Sequence, residues 1–230
     1  MLRRHHVIAL LAALAWAGGP EVKSARAEYL SDLIATNGSI QVGNEVFDRF
    51  AYSATGNMPS ASKVSVSVVT ESNGQTGLRF TGGFTDTFES HGAQKASDAA
   101  LSYRVQSLGN PINGLSLFGN PLVIGGPGLM ATTETFQSGT VPYQLDIHDK
   151  VGSNGVHDTK LTDSVQFSPV LSLEVVTKDI FALSLGGIPT QSFVDQTFAH
   201  AVPEPSAAVL GGLGLLGLAG YARFRRRRAK

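Results

Sequence analysis

The residues able to do chemistry are few and concentrated. Asp146-Ile147-His148-Asp149 and His157-Asp158 flank Lys150-Val151-Gly152-Ser153-Asn154-Gly155-Val156, a segment that reads as the tip of a β-hairpin. If the flanking strands pair around that tip, Asp149 and Asp158 approach across the ladder, with Asp146 and Asp163 further down. Carboxylates with the Asn154 carbonyl suit calcium, whereas the two imidazoles suit a transition metal. The mixed donors and the lack of an EF-hand spacing favour a solvated polar hairpin. No metal or other cofactor is expected. Asp146, Asp149 and Asp158 are the residues that would carry a metal if the hairpin held one.

Other chemistries find less. A hydrolase needs a nucleophile, a base and an orienting acid in contact. The central part of the chain has four histidines, His91, His148, His157 and His200, and none lies in an H-E-x-x-H pattern. No serine sits in a G-x-S-x-G elbow, and no P-loop or dinucleotide fingerprint occurs. There is no cysteine, hence no disulfide, thiolate zinc site or thiol nucleophile. A sugar platform would use exposed aromatic rings, tryptophan above all. The only tryptophan is Trp16, near the N-terminus, and Tyr29, Tyr52, Tyr103 and Tyr143 are scattered. Thr132-Thr133-Glu134-Thr135 is too short for an ice-binding array. The expectation is a non-catalytic protein. A secreted glycan- or calcium-binding module and a secreted hydrolase are the alternatives.

The elements that must position these residues read as strands. In Lys63–Thr70, Val64, Val66 and Val68 fall on one face of a strand and serines on the other. Similar runs are Glu45–Ser53, Thr76–Thr81, Ala99–Gln106, Leu129–Gln137, Tyr143–Asp149, Leu161–Phe167, Leu171–Thr177, Ile180–Leu185 and Ser192–Ala199. Turn signals fall at Asn57–Pro59, Asn73-Gly74, Gly82-Gly83, Asn110-Pro111, Asn113-Gly114, Gly125–Gly128 and Gly186-Gly187. Only Tyr29–Ala35 fits a helical period, through Leu30, Leu33 and Ile34. Phe47 and Phe50, three apart, share a strand face only if a bulge intervenes. The fold class is therefore all-β: a single β-sandwich or jelly-roll-like body over residues 28–201, its aromatics largely core.

The formal charge of zero hides three blocks. Residues 1–27 have four basic and one acidic side chain, and residues 203–230 have six and one. Between them, 8 Lys and Arg stand against 16 Asp and Glu. An acidic body repels phosphates, which excludes nucleic acid as a partner.

The basic ends have work of their own. Arg3, Arg4, the apolar run Val7–Ala17 and Ala25-Arg26-Ala27 follow the charged, apolar and small-residue order of a secretory signal peptide, assigned to residues 1–27 and removed by signal peptidase. At the other end, Val202 leads into Pro203-Glu204-Pro205, then an uncharged run from Ala207 to Ala222, then Arg223, Arg225, Arg226, Arg227 and Arg228. Sixteen residues make a helix of about 24 Å, short against a hydrocarbon core of about 30 Å. Its glycines weaken it further, so a weak transmembrane helix is expected. The arginines stop translocation and stay cytoplasmic, leaving the body outside.

Proline–glutamate–proline, a glycine- and leucine-rich span and a terminal arginine cluster resemble the PEP-CTERM sorting signal of exported bacterial proteins. The resemblance covers residues 202–230 and makes them a sorting and anchor segment. It implies an exosortase-like processing enzyme as partner, reading Pro203, Glu204 and Pro205. It also implies an inner-membrane precursor in a Gram-negative bacterium that makes exopolysaccharide, with the mature protein at the cell surface or in the matrix, where exopolysaccharide is a further partner. Gly38–Gly43 with Phe47, Phe50 and Tyr52 is similar to the opening of the body in some such proteins, which are β-rich and have no assigned reaction. The same tail type also goes by the name of the C-terminal region of ice-binding proteins, which describes the tail and not an activity.

Overall fold

The computed structural model describes residues 27–87 and 96–201. The signal-peptide segment up to residue 26, His91, Pro203-Glu204-Pro205, the uncharged run and the arginine cluster lie outside the described residues. Among the described residues, no helix is long and apolar enough to cross a membrane.

In chain order the elements are β1 (Glu28–Tyr29), α1 (Leu30–Thr36), β2 (Ile40–Val42), β3 (Glu45–Thr55), a 3-10 turn (Ala61–Lys63), β4 (Ser65–Thr70), β5 (Thr76–Thr85) and β6 (Ser97–Ser107). There follow β7 (Ile112–Gly119), β8 (Leu122–Ile124), β9 (Gly128–Ser138), β10 (Val141–Val151), β11 (His157–Lys160), β12 (Thr162–Val170), β13 (Ser172–Ser184) and β14 (Ile188–His200). They form two sheets of seven strands. One has the order β1-β4-β5-β14-β7-β12, with β8 also pairing with β14. The other has the order β11-β10-β9-β13-β6-β3-β2. Every pairing is antiparallel. One apolar core draws on both sheets, so the body is a β-sandwich as its alternating runs predict.

The alternation is cleanest in β6, where Ala99, Leu101, Tyr103 and Val105 are buried and the intervening side chains face out. An aromatic cluster fills the middle of the sandwich. Tyr103 packs against Phe47, Phe50 and Phe80 with ring centroids 5.7–6.1 Å apart, and Phe47 lies 5.6 Å from Phe198 of the facing sheet. Tilted rings at this spacing suit the aromatic quadrupole. Phe47 and Phe50 share the core face because the β3–β6 register shifts between Asp48 and Ala51, with Arg49 at φ 56°. That is the bulge their three-residue spacing requires.

Helix α1 buries Leu30 and Leu33, and it stops at Asn37 in the left-handed conformation (φ 47°), after which the Gly38 N–H donates to the Leu33 carbonyl.

Three expectations need correction. Asn113-Gly114 lies inside β7, where Gly114 faces Ala199 of β14; a Cβ there would stand 3.1 Å from the alanine's own. The glycine marks close strand approach, not a turn. Gly82-Gly83 likewise lies inside β5. Leu171–Thr177 and Ile180–Leu185 belong to the single strand β13, whose register shifts between Leu173 and Val176. That bulge leaves both Glu174 and Val175 exposed. The division between the two expected runs fell instead at Lys178-Asp179, two charged residues that the strand runs straight through, with Lys178 buried.

Candidate functional site

The hairpin forms as expected, but its register differs. Strand β10 pairs with β11 so that Thr159 faces Asp149 and Lys150 faces Asp158. Asp149 and Asp158 therefore point to opposite faces. Asp149 turns into the sandwich, 1% exposed, and accepts from the Val123 N–H at 2.7 Å and the Thr159 hydroxyl at 2.7 Å, with His157 Nδ1 at 3.0 Å. Burial pushes its carboxyl up, but these three partners outweigh burial and hold it below the ordinary aspartate range. Its work is structural: it ties β10 of one sheet to β8 of the other. Asp158 is largely exposed, 3.8 Å from His148 Nε2.

Asp146 takes a third course. Its Oδ1 lies 3.1 Å from Lys160 Nζ, which also donates to Asp163 at 2.8 Å, and its backbone N–H donates to Asp163 Oδ2 at 3.0 Å. The Lys160 ammonium thus fills the place between two carboxylates that a metal would need. Among the described residues no group of three potential metal ligands comes together.

Three sites escaped the sequence reading. The first is a buried polar cluster between the sheets. Lys178 of β13 lies opposite Glu134 of β9, both fully buried, and donates to Glu134 and to Gln196 of β14. Gln196 Oε1 also accepts from the Tyr103 hydroxyl at 3.3 Å. Thr132 donates to Gln191 at 2.9 Å beside them. Desolvation pushes the Glu134 carboxyl up and the Lys178 ammonium down, both toward neutrality.

The second is an open groove of about 1050 Å³ on the outer side of β10, β9 and β13. Thr135, Gln137, Gln144 and Thr177 supply polar groups and Glu174 a carboxylate. The Tyr143 ring itself lies on the inward face, stacked on Phe136 at 5.3 Å and packed against Phe167 at 5.6 Å. Such a lining offers hydroxyl, amide and carboxylate groups to a polar chain.

The third is the clasp where the chain leaves the fold. β14 ends at His200, whose Nε2 lies 3.1 Å from Glu45 of β3 and whose Nδ1 lies 2.9 Å from the Asn110 carbonyl. Thr76 donates to Glu45 at 3.1 Å, and the Ala201 N–H donates to the Pro111 carbonyl at 2.9 Å. The last strand is thereby fastened to both sheets one residue before Val202. Glu45 is 1% exposed, and burial pushes its carboxyl up to about 7 against the lowering pull of His200 and Thr76. A carboxyl raised in the folded state stabilises fully below its unfolded pKa of 4.5, and that contribution is lost as pH rises through about 7. The loss amounts to about 3 kcal/mol. Denaturation of Glu45→Gln across pH 4.5–8 should therefore show a flatter stability profile than the parent. An unchanged slope would mean that Glu45 does not titrate in this window.

Of the comparisons with known proteins, the family match concerns the segment that starts at this clasp, and the likenesses to solved structures each cover about two thirds of the chain. Residues 201–228 match the model of the PEP-CTERM protein-sorting motif, so the chain carries that motif. No curated protein matches. Among solved structures, TmCBM61 in complex with β-1,4-galactotriose is similar at 10% identity and a TM-score of 0.33, covering 66% of this chain and 89% of that one. The enzymatically active domain of bacteriophage CBA120 tailspike protein 4 is similar at 11% identity and a TM-score of 0.26. There 65% of this chain matches about a fifth, 19%, of the other.

Proposed function

We propose that this chain is an exported surface protein whose sandwich is a non-catalytic cargo, delivered by its tail and released or transferred by an exosortase-like enzyme. The observation that carries the reading is the abutment of two things: a PEP-CTERM motif over residues 201–228 and a fold whose last strand is clasped shut at Ala201. The last described strand ends at His200, where the signal begins, so removal of the signal takes none of the fourteen described strands. Pro203, Glu204 and Pro205 are the residues to be read, and Arg223, Arg225, Arg226, Arg227 and Arg228 hold the precursor in the inner membrane with the body outside. The host is a Gram-negative, exopolysaccharide-producing bacterium, and signal peptidase removes residues 1–27 first.

The absence of catalysis is supported by the engagement of the candidate acids: Asp149 is tied to Val123, and Asp146 and Asp163 to Lys160. The groove lined by Thr135, Gln137, Gln144 and Thr177 is the surface on which exopolysaccharide would lie, and its hydroxyl and amide groups support the glycan-binding reading over the calcium-binding one.

Intact mass of the protein from membrane, surface and medium fractions of its host tests the proposal. The expected mass outside the membrane lacks residues 1–27 and everything beyond about Pro203–Ser206. A mass that retains Arg223–Lys230 in every fraction sinks it.

A further inference from the structure

The described chain leaves the sandwich at Ala201, so in a tail-anchored precursor the end of the sandwich around Ala201 is the one nearest the membrane. Five connections meet there: residues 43–44, 71–75, 108–111, 139–140 and residue 171. Their proximity is fixed by hydrogen bonds. The Leu108 N–H donates to the Asn44 carbonyl at 2.7 Å, the Ser107 N–H to the Leu171 carbonyl at 2.8 Å, and the Ala201 N–H to the Pro111 carbonyl at 2.9 Å. Leu108, Val141 and Leu171 stand at this end with 60%, 50% and 57% of their surface exposed. The body has twice as many acidic as basic side chains, yet these connections hold one charged residue, Glu71. Its carboxylate accepts from Thr197 at 2.9 Å.

Five residues, 202–206, separate Ala201 from the uncharged run. However arranged, five residues span at most about 18 Å, and the headgroup layer takes up about 5–7 Å of that. The end of the sandwich is thus held within a few side-chain lengths of the lipid while the tail is in the bilayer. Leucine and valine gain by entering the interface at that distance. The other exposed carboxylate near this end, Glu174, is paired with Arg49 at 3.1 Å, so this end meets anionic headgroups with less repulsion than the rest of the acidic body would feel.

We infer that Leu108, Val141 and Leu171 form a membrane-docking rim: in the anchored precursor this end of the sandwich rests on the bilayer surface, presenting the segment after Ala201 at a fixed height and orientation. The inference rests on the tail-anchored reading proposed above. Exposed apolar side chains also occur at the opposite end, among them Leu122, Ile124, Leu185 and Ile188. That end is farthest from the tail, so it serves as the internal control.

The chain has no cysteine, so single variants Leu108→Cys, Leu171→Cys and Ile188→Cys each take one environment-sensitive fluorophore. The full chain is reconstituted in phosphatidylethanolamine–phosphatidylglycerol vesicles that carry a lipid-borne quencher. Flotation confirms anchoring, and thermal denaturation confirms that each variant is folded. The expected result is several-fold stronger quenching, with a blue-shifted emission, at positions 108 and 171 than at 188. Equal quenching at the two ends, or none at 108 and 171 in a chain that floats, overturns the rim while leaving the anchor intact. A chain that does not float with the vesicles overturns the anchored reading, and the rim falls with it.

Discussion

Replacing Lys178 by methionine should lower stability at neutral pH by about 3–5 kcal/mol, the cost of leaving a buried carboxylate without its cation. For a body of this size that corresponds to a fall in melting temperature of roughly 6–20 °C. Glu134 is the group left behind. It is fully buried, its Oε1 already lacks a hydrogen-bond partner among the described residues, and Lys178 supplies the main lowering influence on its carboxyl. Without that ammonium the carboxyl rises further. A carboxyl raised in the folded state stabilises most below its unfolded pKa and least above its folded one, so the deficit of Lys178→Met should shrink toward pH 4 and be greatest toward pH 8. The double variant Lys178→Met, Glu134→Leu removes both charges. It should recover most of the loss, because a buried ion pair is often no better than apolar side chains of similar volume. Gln196 and Tyr103 would still have each other as partners. Denaturant unfolding of the parent, single and double variants checks all of this. A single variant as stable as the parent at pH 8 would show that Glu134 reaches water or a partner the geometry does not provide.

This cluster also shows what the sequence hides. In β9, Met130, Thr132, Glu134 and Phe136 lie on one face, and in β13, Val176, Lys178, Ile180 and Ala182 do the same. Strict alternation points both charged side chains inward. A residue's charge argues for the surface, and that general preference outweighs a local period when nothing reveals the partner on another strand. The partner comes from register, which is a property of strand pairing and not of either strand alone. The expected register of the hairpin differed from the observed one for the same reason. Its tip was legible from Gly152, Asn154 and Gly155, but a shift of one residue decides whether Asp149 faces Asp158 or Thr159. Bulges are the other obscured feature. Phe47 and Phe50 announced theirs by a spacing no regular strand permits, whereas the bulge between Leu173 and Val176 sat unmarked inside a single apolar run. The same strand was cut in two at Lys178-Asp179 because two charged residues read as its end. The core itself was legible because valine and aromatic side chains at period two have few other uses.

Changing Glu204 to alanine should abolish removal of the tail while leaving the stability of the body within about 0.5 kcal/mol of the parent. The two readouts separate because the clasp at His200 and Ala201 lies before Pro203-Glu204-Pro205 in the chain. A processing enzyme that reads a carboxylate between two prolines must offer it buried hydrogen-bond donors, and those donors are left unpaired when the carboxylate is missing. Sites built in this way discriminate by about 10⁴–10⁵-fold, enough to turn complete processing into none within a generation of growth. Host cells should then accumulate, in the membrane fraction alone, a mass that retains Arg223–Lys230. Lengthening the chain between Ala201 and Pro203 by a flexible spacer gives the complementary measurement. Pro203 stands two residues beyond a hydrogen-bonded Ala201, so the enzyme must approach the end of the sandwich closely. A spacer that relieves the approach should leave cleavage intact and make it no slower. A permanent anchor, by contrast, would be indifferent to the glutamate. If Glu204→Ala is trimmed as fully as the parent, the three residues are not being read, and the tail does no more than hold the body to the membrane.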